Sequence, residues 1–97
     1  MPSFVVLGNY TDQGIKDMKN LKSNLEAAKE AIQQAGGRMI FYYLTLGEYD
    51  FVSVAELPEP GAGAAVLLAM GAQGNLRTTT MQAFTEEEAF AIVESLP

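Results

Sequence analysis

Residues 39–46, Met-Ile-Phe-Tyr-Tyr-Leu-Thr-Leu, form a strand-type run with no polar side. Successive side chains of a strand point to opposite faces. Met39, Phe41 and Tyr43 therefore fall on one face, and Ile40, Tyr42, Leu44 and Leu46 on the other. Two further runs repeat the pattern, with Phe4 and Val6 opposing Val5 and Leu7, and Phe51 and Ala55 opposing Val52 and Val54. A sheet built from such strands is apolar on both faces and needs a cover on each. Helices of the same chain supply one cover. The short helix at the end of the chain is too small to close the other face over several strands. The simplest second cover is the same face of another copy, related by a two-fold axis. The expectation is a homodimer through the sheet face, with further association left open.

The remaining pattern fixes the element order. Ser3 to Tyr10 reads as the first strand. Thr11 is placed as an N-cap with Asp12 in the first turn, and a short helix follows with Ile15 and Met18 inward. Ser23-Asn24-Leu25-Glu26 fits a capping box, so the main helix is expected to restart there. Its apolar stripe is Leu25, Ala28, Ile32 and Ala35, and Gly36-Gly37 ends it. Arg38 to Leu46 is the second strand, Gly47 to Asp50 a hairpin connection, and Phe51 to Glu56 the third strand. A helix from about Gly61 to Ala72 is apolar all round, which predicts burial on most sides, and Gly71 and Gly74 are expected to break it. Asn75 to Phe84 is the fourth strand. Thr85-Glu86-Glu87-Glu88 is a second capping box, opening a final helix that should bury Ala89, Phe90, Val93 and Leu96. Strand, helix, strand, strand, helix, strand with right-handed crossovers gives an α+β, ferredoxin-like four-stranded antiparallel sheet plus one extra helix. Residues 1–97 are expected to form one domain.

Composition narrows the chemistry. Hydrophobic residues make up 48% of the chain and charged residues 19%, a globular balance rather than a disordered one. The net charge of -6 repels phosphate backbones and anionic lipid, which argues against nucleic-acid and membrane partners. The acidity is concentrated after Arg38, where eight acidic residues face one cation, Arg77. The chain has no cysteine, which removes disulfides, thiolate metal sites and thiol catalysis. It also has no histidine, the commonest general base and metal ligand. No cofactor and no metal are expected. Met1-Pro2-Ser3-Phe4 lacks a basic signal-peptide start, and the apolar stretch 62–72 is too short to span a bilayer, so a cytoplasmic location is expected.

Several segments resemble the GYD family, small proteins named for a Gly-x-Tyr-Asp turn. They are Tyr10-Thr11-Asp12-Gln13-Gly14-Ile15-Lys16, Leu25-Glu26-Ala27-Ala28-Lys29, the run from Phe41 to Asp50, Gly74-Asn75-Leu76-Arg77-Thr78-Thr79-Thr80 and Ala83-Phe84-Thr85. Leu21 and Lys22 stand where the family pattern would place a proline, and the helix after Pro60 is glycine-richer than is usual. The resemblance implies a ferredoxin-like fold of the dimeric α/β-barrel superfamily and brings no activity with it. The wider superfamily includes cofactor-free monooxygenases, haem-degrading enzymes and ligand-sensing domains, an analogy of fold rather than of chemistry.

Arg77, in the threonine-rich fourth strand, is the most suggestive single residue. Its guanidinium suits an anionic or enolate oxygen, and the structural alternative is an ion pair with Glu48, Asp50 or Glu56. Asn9 and Tyr10 end the first strand, where clefts form, so Asn9, Tyr10, Arg77 and Thr79 make a candidate ligand-binding set. Asn9 serves turn chemistry in the alternative reading. Tyr42 and Tyr43 point to opposite faces, one toward the helices and one toward the partner. With Arg77 and Asn9 they are the catalytic candidates, Arg77 holding an oxyanion, Asn9 orienting substrate and a tyrosine moving the proton. Gly47, Glu48, Tyr49 and Asp50 form the namesake turn, for which a structural role is favoured. Gly61-Ala62-Gly63 lacks the lysine and the preceding strand of a phosphate loop, and Glu86 to Glu88 suit a solvated helix start.

Three function classes follow: a small-ligand-binding or structural dimeric module, a cofactor-independent enzyme acting on a small organic substrate, and an accessory subunit of another protein. A cavity of roughly 300 Å³ or more on the helix face, reached by Arg77 or Asn9, would favour ligand or catalysis.

Overall fold

A computed structural model describes residues 1–97. The elements are β1 (Ser3–Tyr10), α1 (Asp12–Lys16), a single 3₁₀ turn (Met18–Asn20), α2 (Leu21–Gln34), β2 (Arg38–Leu44), β3 (Phe51–Glu56), α3 (Pro60–Ala72), β4 (Leu76–Ala83) and α4 (Glu86–Glu94). All neighbouring strands are antiparallel, in the order β2-β3-β1-β4. This is the ferredoxin-like α+β arrangement with an added C-terminal helix.

The alternation in β1 and β3 holds. Phe4, Phe51 and Ala55 are buried toward α2 and α3, while Val5, Leu7, Val52 and Val54 point to the face that no helix covers. The strict alternation expected for β2 does not hold. Met39 pairs with Ala55 and Phe41 with Val54, so a bulge inserts Ile40 between them. The extra residue turns Met39 toward the core and leaves Phe41 and Tyr43 on the open face. β2 also ends at Leu44 rather than Leu46, because the Thr45 N–H bonds the Asp50 carbonyl at 2.8 Å and closes the hairpin there.

Thr11 caps α1 as expected, its hydroxyl accepting from the Gly14 N–H at 3.1 Å. Ile15 does not turn inward; it is 54% exposed. The expected capping box at Ser23 is absent. α2 begins at Leu21, and the joint before it is held by Asp17, whose carboxylate accepts from the Asn20 and Asn24 amides at 2.6 and 2.7 Å. Those two bonds hold the Asp17 carboxyl below the usual carboxylate range. The α2 stripe packs inward with Ile32 buried. Its end is a Schellman motif, in which the Gly37 N–H bonds the Ile32 carbonyl and the Gly36 N–H bonds the Gln33 carbonyl, both at 2.9 Å. Gly36 takes φ 89°, which a side chain would oppose.

Two expectations about the other helices are corrected. α3 is apolar all round but covered on one side only. Gly63 is buried and Val66 packs on the core, while Leu68 is 75% exposed, because nothing lies above the outer side of this helix in one chain. α3 also runs through Gly71 to Ala72, and the break falls at Gly74, where φ is 81°. α4 starts with the expected Thr85–Glu88 capping box. It does not bury its apolar residues, since it makes little contact with the rest of the chain. Phe90, Val93 and Leu96 are 59%, 61% and 66% exposed.

Only 10 of 97 residues are buried, and the radius of gyration is 14.5 Å, against about 12.5 Å for a compact domain of this length. A chain this open leaves much of its apolar surface uncovered.

Candidate functional site

The sheet divides the candidate residues into two groups. On the helix face, a cavity of about 430 Å³ lies between the sheet and helices α2 and α3. Phe4, Val6, Ser53 and Thr78 line it from the strands, and Leu25, Ala28, Val66 and Met70 from the helices. At the cavity wall the hydroxyls of Tyr10 and Tyr42 meet at 2.6 Å. The two tyrosines come from strands on either side of β3, and Phe51 of β3 lies between their rings. Its centroid is 5.3 Å from each, stacked on Tyr42 and tilted against Tyr10.

The hairpin turn supports this pair from behind. Asp50 Oδ2 accepts from the Tyr10 N–H at 2.9 Å, and the Asp50 N–H bonds the Gly8 carbonyl at 2.8 Å. Thr45 Oγ1 donates to the Tyr49 carbonyl at 2.6 Å, and Gly47 takes φ 112°. Gly47 and Glu48 are exposed at the tip, with Tyr49 half-buried. The Asp50 carboxylate thus joins the turn to the end of β1 instead of capping amides within the turn.

Burial raises the Tyr10 hydroxyl above its ordinary pKa of 10.0, and the bond to Tyr42 and the nearby Asp50 carboxylate act in the same direction. The folded chain therefore holds this proton more tightly than the unfolded one. Stability from this group is fully present below about pH 10 and is lost as pH climbs above it, because the unfolded chain ionises first. Urea midpoints measured between about pH 9 and about pH 11 should fall more steeply for the wild type than for Tyr10→Phe. Parallel profiles would show that this proton is not held in the way described.

Asn9, Arg77, Thr79 and Tyr43 lie on the other face of the sheet. Asn9 pairs with Arg77 across β1 and β4, and Leu7 with Thr79. Arg77 and Thr79 are exposed, and neither Arg77 nor Asn9 lines the cavity. Arg77 also makes none of the ion pairs weighed for it; the salt bridge of the chain joins Arg38 Nε to Glu56 Oε1 at 2.7 Å. The structure brings Tyr10 to Tyr42, and Asn9 to Arg77 and Thr79, but places the sheet between the two groups. One chain does not assemble Arg77, Asn9 and Tyr42 around a common point. No group of three or more acidic side chains converges to hold a metal ion.

The open face has the composition of an interface. Val5, Leu7, Val52, Val54, Met81 and the stacked pair Phe41–Tyr43, with centroids 4.8 Å apart, form its middle. Asn9 and Arg77 sit at one corner and the Arg38–Glu56 pair at the opposite end of the strands. An apolar centre with a polar rim is the usual anatomy of a protein contact.

The Tyr10–Tyr42 pair was not foreseen from the sequence. The signal available was parity: Tyr10 is in phase with Phe4 and Val6, which sends it to the helix face, and the strand order sets β1 and β2 on either side of β3. The bulge at Ile40 hid which residues of β2 share that face.

No helix is long and apolar enough to cross a membrane. The crystal structure of TTHA0845 from Thermus thermophilus has a similar fold, with a TM-score of 0.53 and 23% identity, over 87% of this chain and 94% of that one. In sequence the chain is 33% identical over 92 residues to a Thermus thermophilus protein named glutamine synthetase and cystathionine beta-lyase binding protein, covering 94% of this chain and 97% of the relative. The GYD domain model matches residues 4–93, nearly the whole chain. By that match the chain belongs to the GYD domain family.

Proposed function

We propose that this protein is a homodimeric protein-binding module that docks onto metabolic enzymes of the glutamine synthetase or cystathionine β-lyase kind. The observation that carries the reading is the uncovered apolar sheet face, ringed by polar corners, in a chain that buries few of its own residues. The partner class is supported by the name of the relative that matches over nearly the full length of both chains. A second copy takes the sheet face. α4 then still presents an exposed apolar stripe, where Phe90 and Val93 stand one turn apart above an acidic start and make little contact with their own chain. The partner enzyme is assigned to that helix. Separation of Asn9 and Arg77 from Tyr42 by the sheet favours binding over the catalytic arrangement weighed above.

Biolayer interferometry of the immobilised protein against glutamine synthetase and cystathionine β-lyase of the same organism tests this. Saturable binding to one of them is expected. Phe90→Ser with Val93→Ser should weaken it at least ~10-fold, as loss of two apolar anchors implies, and leave the dimer mass unchanged. Absence of binding to both enzymes, or binding indifferent to the α4 substitutions, would overturn the assignment.

A further inference from the structure

We propose that the cavity between the sheet and helices α2 and α3 is a binding site for a neutral aromatic carbonyl compound, whose carbonyl oxygen accepts a hydrogen bond from the Tyr10–Tyr42 pair. Four observations carry this, independently of the protein-binding role. The volume of about 430 Å³ falls within the range of small-molecule sites. The walls are mostly apolar, and Phe4, Phe51, Tyr10 and Tyr42 give them aromatic rings on which a flat ring system can pack.

The third observation is a hydrogen bond left to make. Two phenol hydroxyls hold two protons, and their mutual bond at 2.6 Å uses one. No other protein group accepts from either oxygen, so the second O–H is free to donate. Beside it, Ser53 is 5% exposed, faces the cavity and makes no side-chain hydrogen bond within the chain. Tyr10 holds its proton well into alkaline solution, so the pair remains a donor at neutral pH.

The fourth is charge. No lysine or arginine lines the cavity, the ionisable carboxylate there is Asp17, and the chain carries -6. Carboxylate, phosphate and sulfonate ligands find no counter-charge, and desolvating them would be costly. A neutral molecule with one carbonyl avoids that cost and meets the free phenol O–H.

Titration with prodan, a fluorescent neutral aromatic ketone, tests the proposal on the full-length protein. Saturable binding of one molecule per chain with a blue-shifted emission is expected. Anilinonaphthalene sulfonate, similar in size but anionic, should bind at least ~10-fold more weakly. Tyr10→Phe with Tyr42→Phe removes both hydroxyls and should weaken prodan about five- to tenfold; the double change is needed because either phenol alone can still donate. Ala28→Phe fills the cavity from α2 and should abolish saturable binding, with circular dichroism confirming the fold. If that variant does not fold, the double phenylalanine variant decides. No saturable prodan binding, equal affinity for the sulfonate, or affinity unmoved by the tyrosine changes would each overturn the site.

Discussion

The wild-type chain is expected to sediment as a dimer, and a Leu7→Asp variant as a monomer at the same concentration. Leu7 lies on the inner strand β1, opposite Val52 on one side and Thr79 on the other, in the middle of the open face. A two-fold contact through this face would bury that carboxylate and its symmetry mate among Val5, Val52, Val54, Met81 and the Phe41–Tyr43 pair. Arg38 is already paired with Glu56, and Arg77, diagonal to position 7 across β4, would have to be drawn out of solvent to meet the new charge, which adds a second desolvation cost. Burying an unpaired carboxylate costs several kcal/mol. A loss of about 4 kcal/mol corresponds to ~1,000-fold in dissociation constant, enough to take a tight dimer into the monomer range. Leu68→Asp is the control. It places the same charge on an equally apolar residue that is 75% exposed on the outer side of α3, and it should leave the mass at that of the dimer. Sedimentation velocity on the three proteins gives the answer. A monomeric wild type, or a Leu7→Asp protein that remains dimeric, would remove the sheet face from the account.

The proposed contact would also give the polar corner of that face a role. Asn9 and Arg77 make no side-chain hydrogen bond or ion pair within the chain, although they lie directly opposite one another. Placed at the rim of a two-fold interface, a guanidinium without an intrachain partner can meet acidic or carbonyl groups of the other copy. Rim charges of this kind set register and association rate more than affinity.

The fold was legible where local chemistry decides it. Hydrophobic alternation placed β1 and β3 and the faces of both, the paired glycines 36 and 37 placed the end of α2, and Thr85–Glu88 placed the start of α4. It was illegible where tertiary contacts decide. Ser23 and Glu26 have the spacing of a capping box, but Asp17 reaches across the preceding turn to Asn20 and Asn24, and the helix starts three residues earlier, with Asn20 rather than Ser23 at the N-cap. The bulge at Ile40 leaves no mark in a run of apolar residues, since every residue there suits either face. The all-apolar pattern of α3 and the apolar stripe of α4 state that both need cover without stating who supplies it, and in one chain neither is fully covered. The site was half legible. Tyr10 and Tyr42 were both singled out, but their contact depends on β1 and β2 flanking the same strand and on the bulge that turns Tyr42 inward. Asn9, Tyr10, Arg77 and Thr79 were grouped as one set at a cleft; Asn9, Arg77 and Thr79 share the open face, whereas Tyr10 lies across the sheet at the cavity wall.

Gly8 carries the second large effect, and it decides between two opposing tendencies. Its φ is not in the left-handed region, so alanine is conformationally acceptable there, and Gly→Ala at such a position ordinarily stabilises by about 0.4–1 kcal/mol through the unfolded chain. The Phe51 ring, however, packs against the Gly8 backbone, and a Cβ at this position would collide with the tip of the ring at Cζ. Phe51 is 5% exposed and wedged between Tyr10 and Tyr42, so the ring has no vacant place to move into without disturbing the pair. Overpacking of this kind costs about 2–3 kcal/mol, which outweighs the entropic gain. Gly8→Ala should therefore lower the thermal midpoint by roughly 5–20 °C at fixed protein concentration. Phe51→Leu alone should cost about 1–2 kcal/mol through lost packing. In the Gly8→Ala background the same change removes the collision, so the double variant should be more stable than the sum of the single effects by at least ~1 kcal/mol. Strict additivity would mean that the glycine is not the seat of the ring, and the support it gives to the Tyr10–Tyr42 pair would then have to come from the Asp50 turn alone.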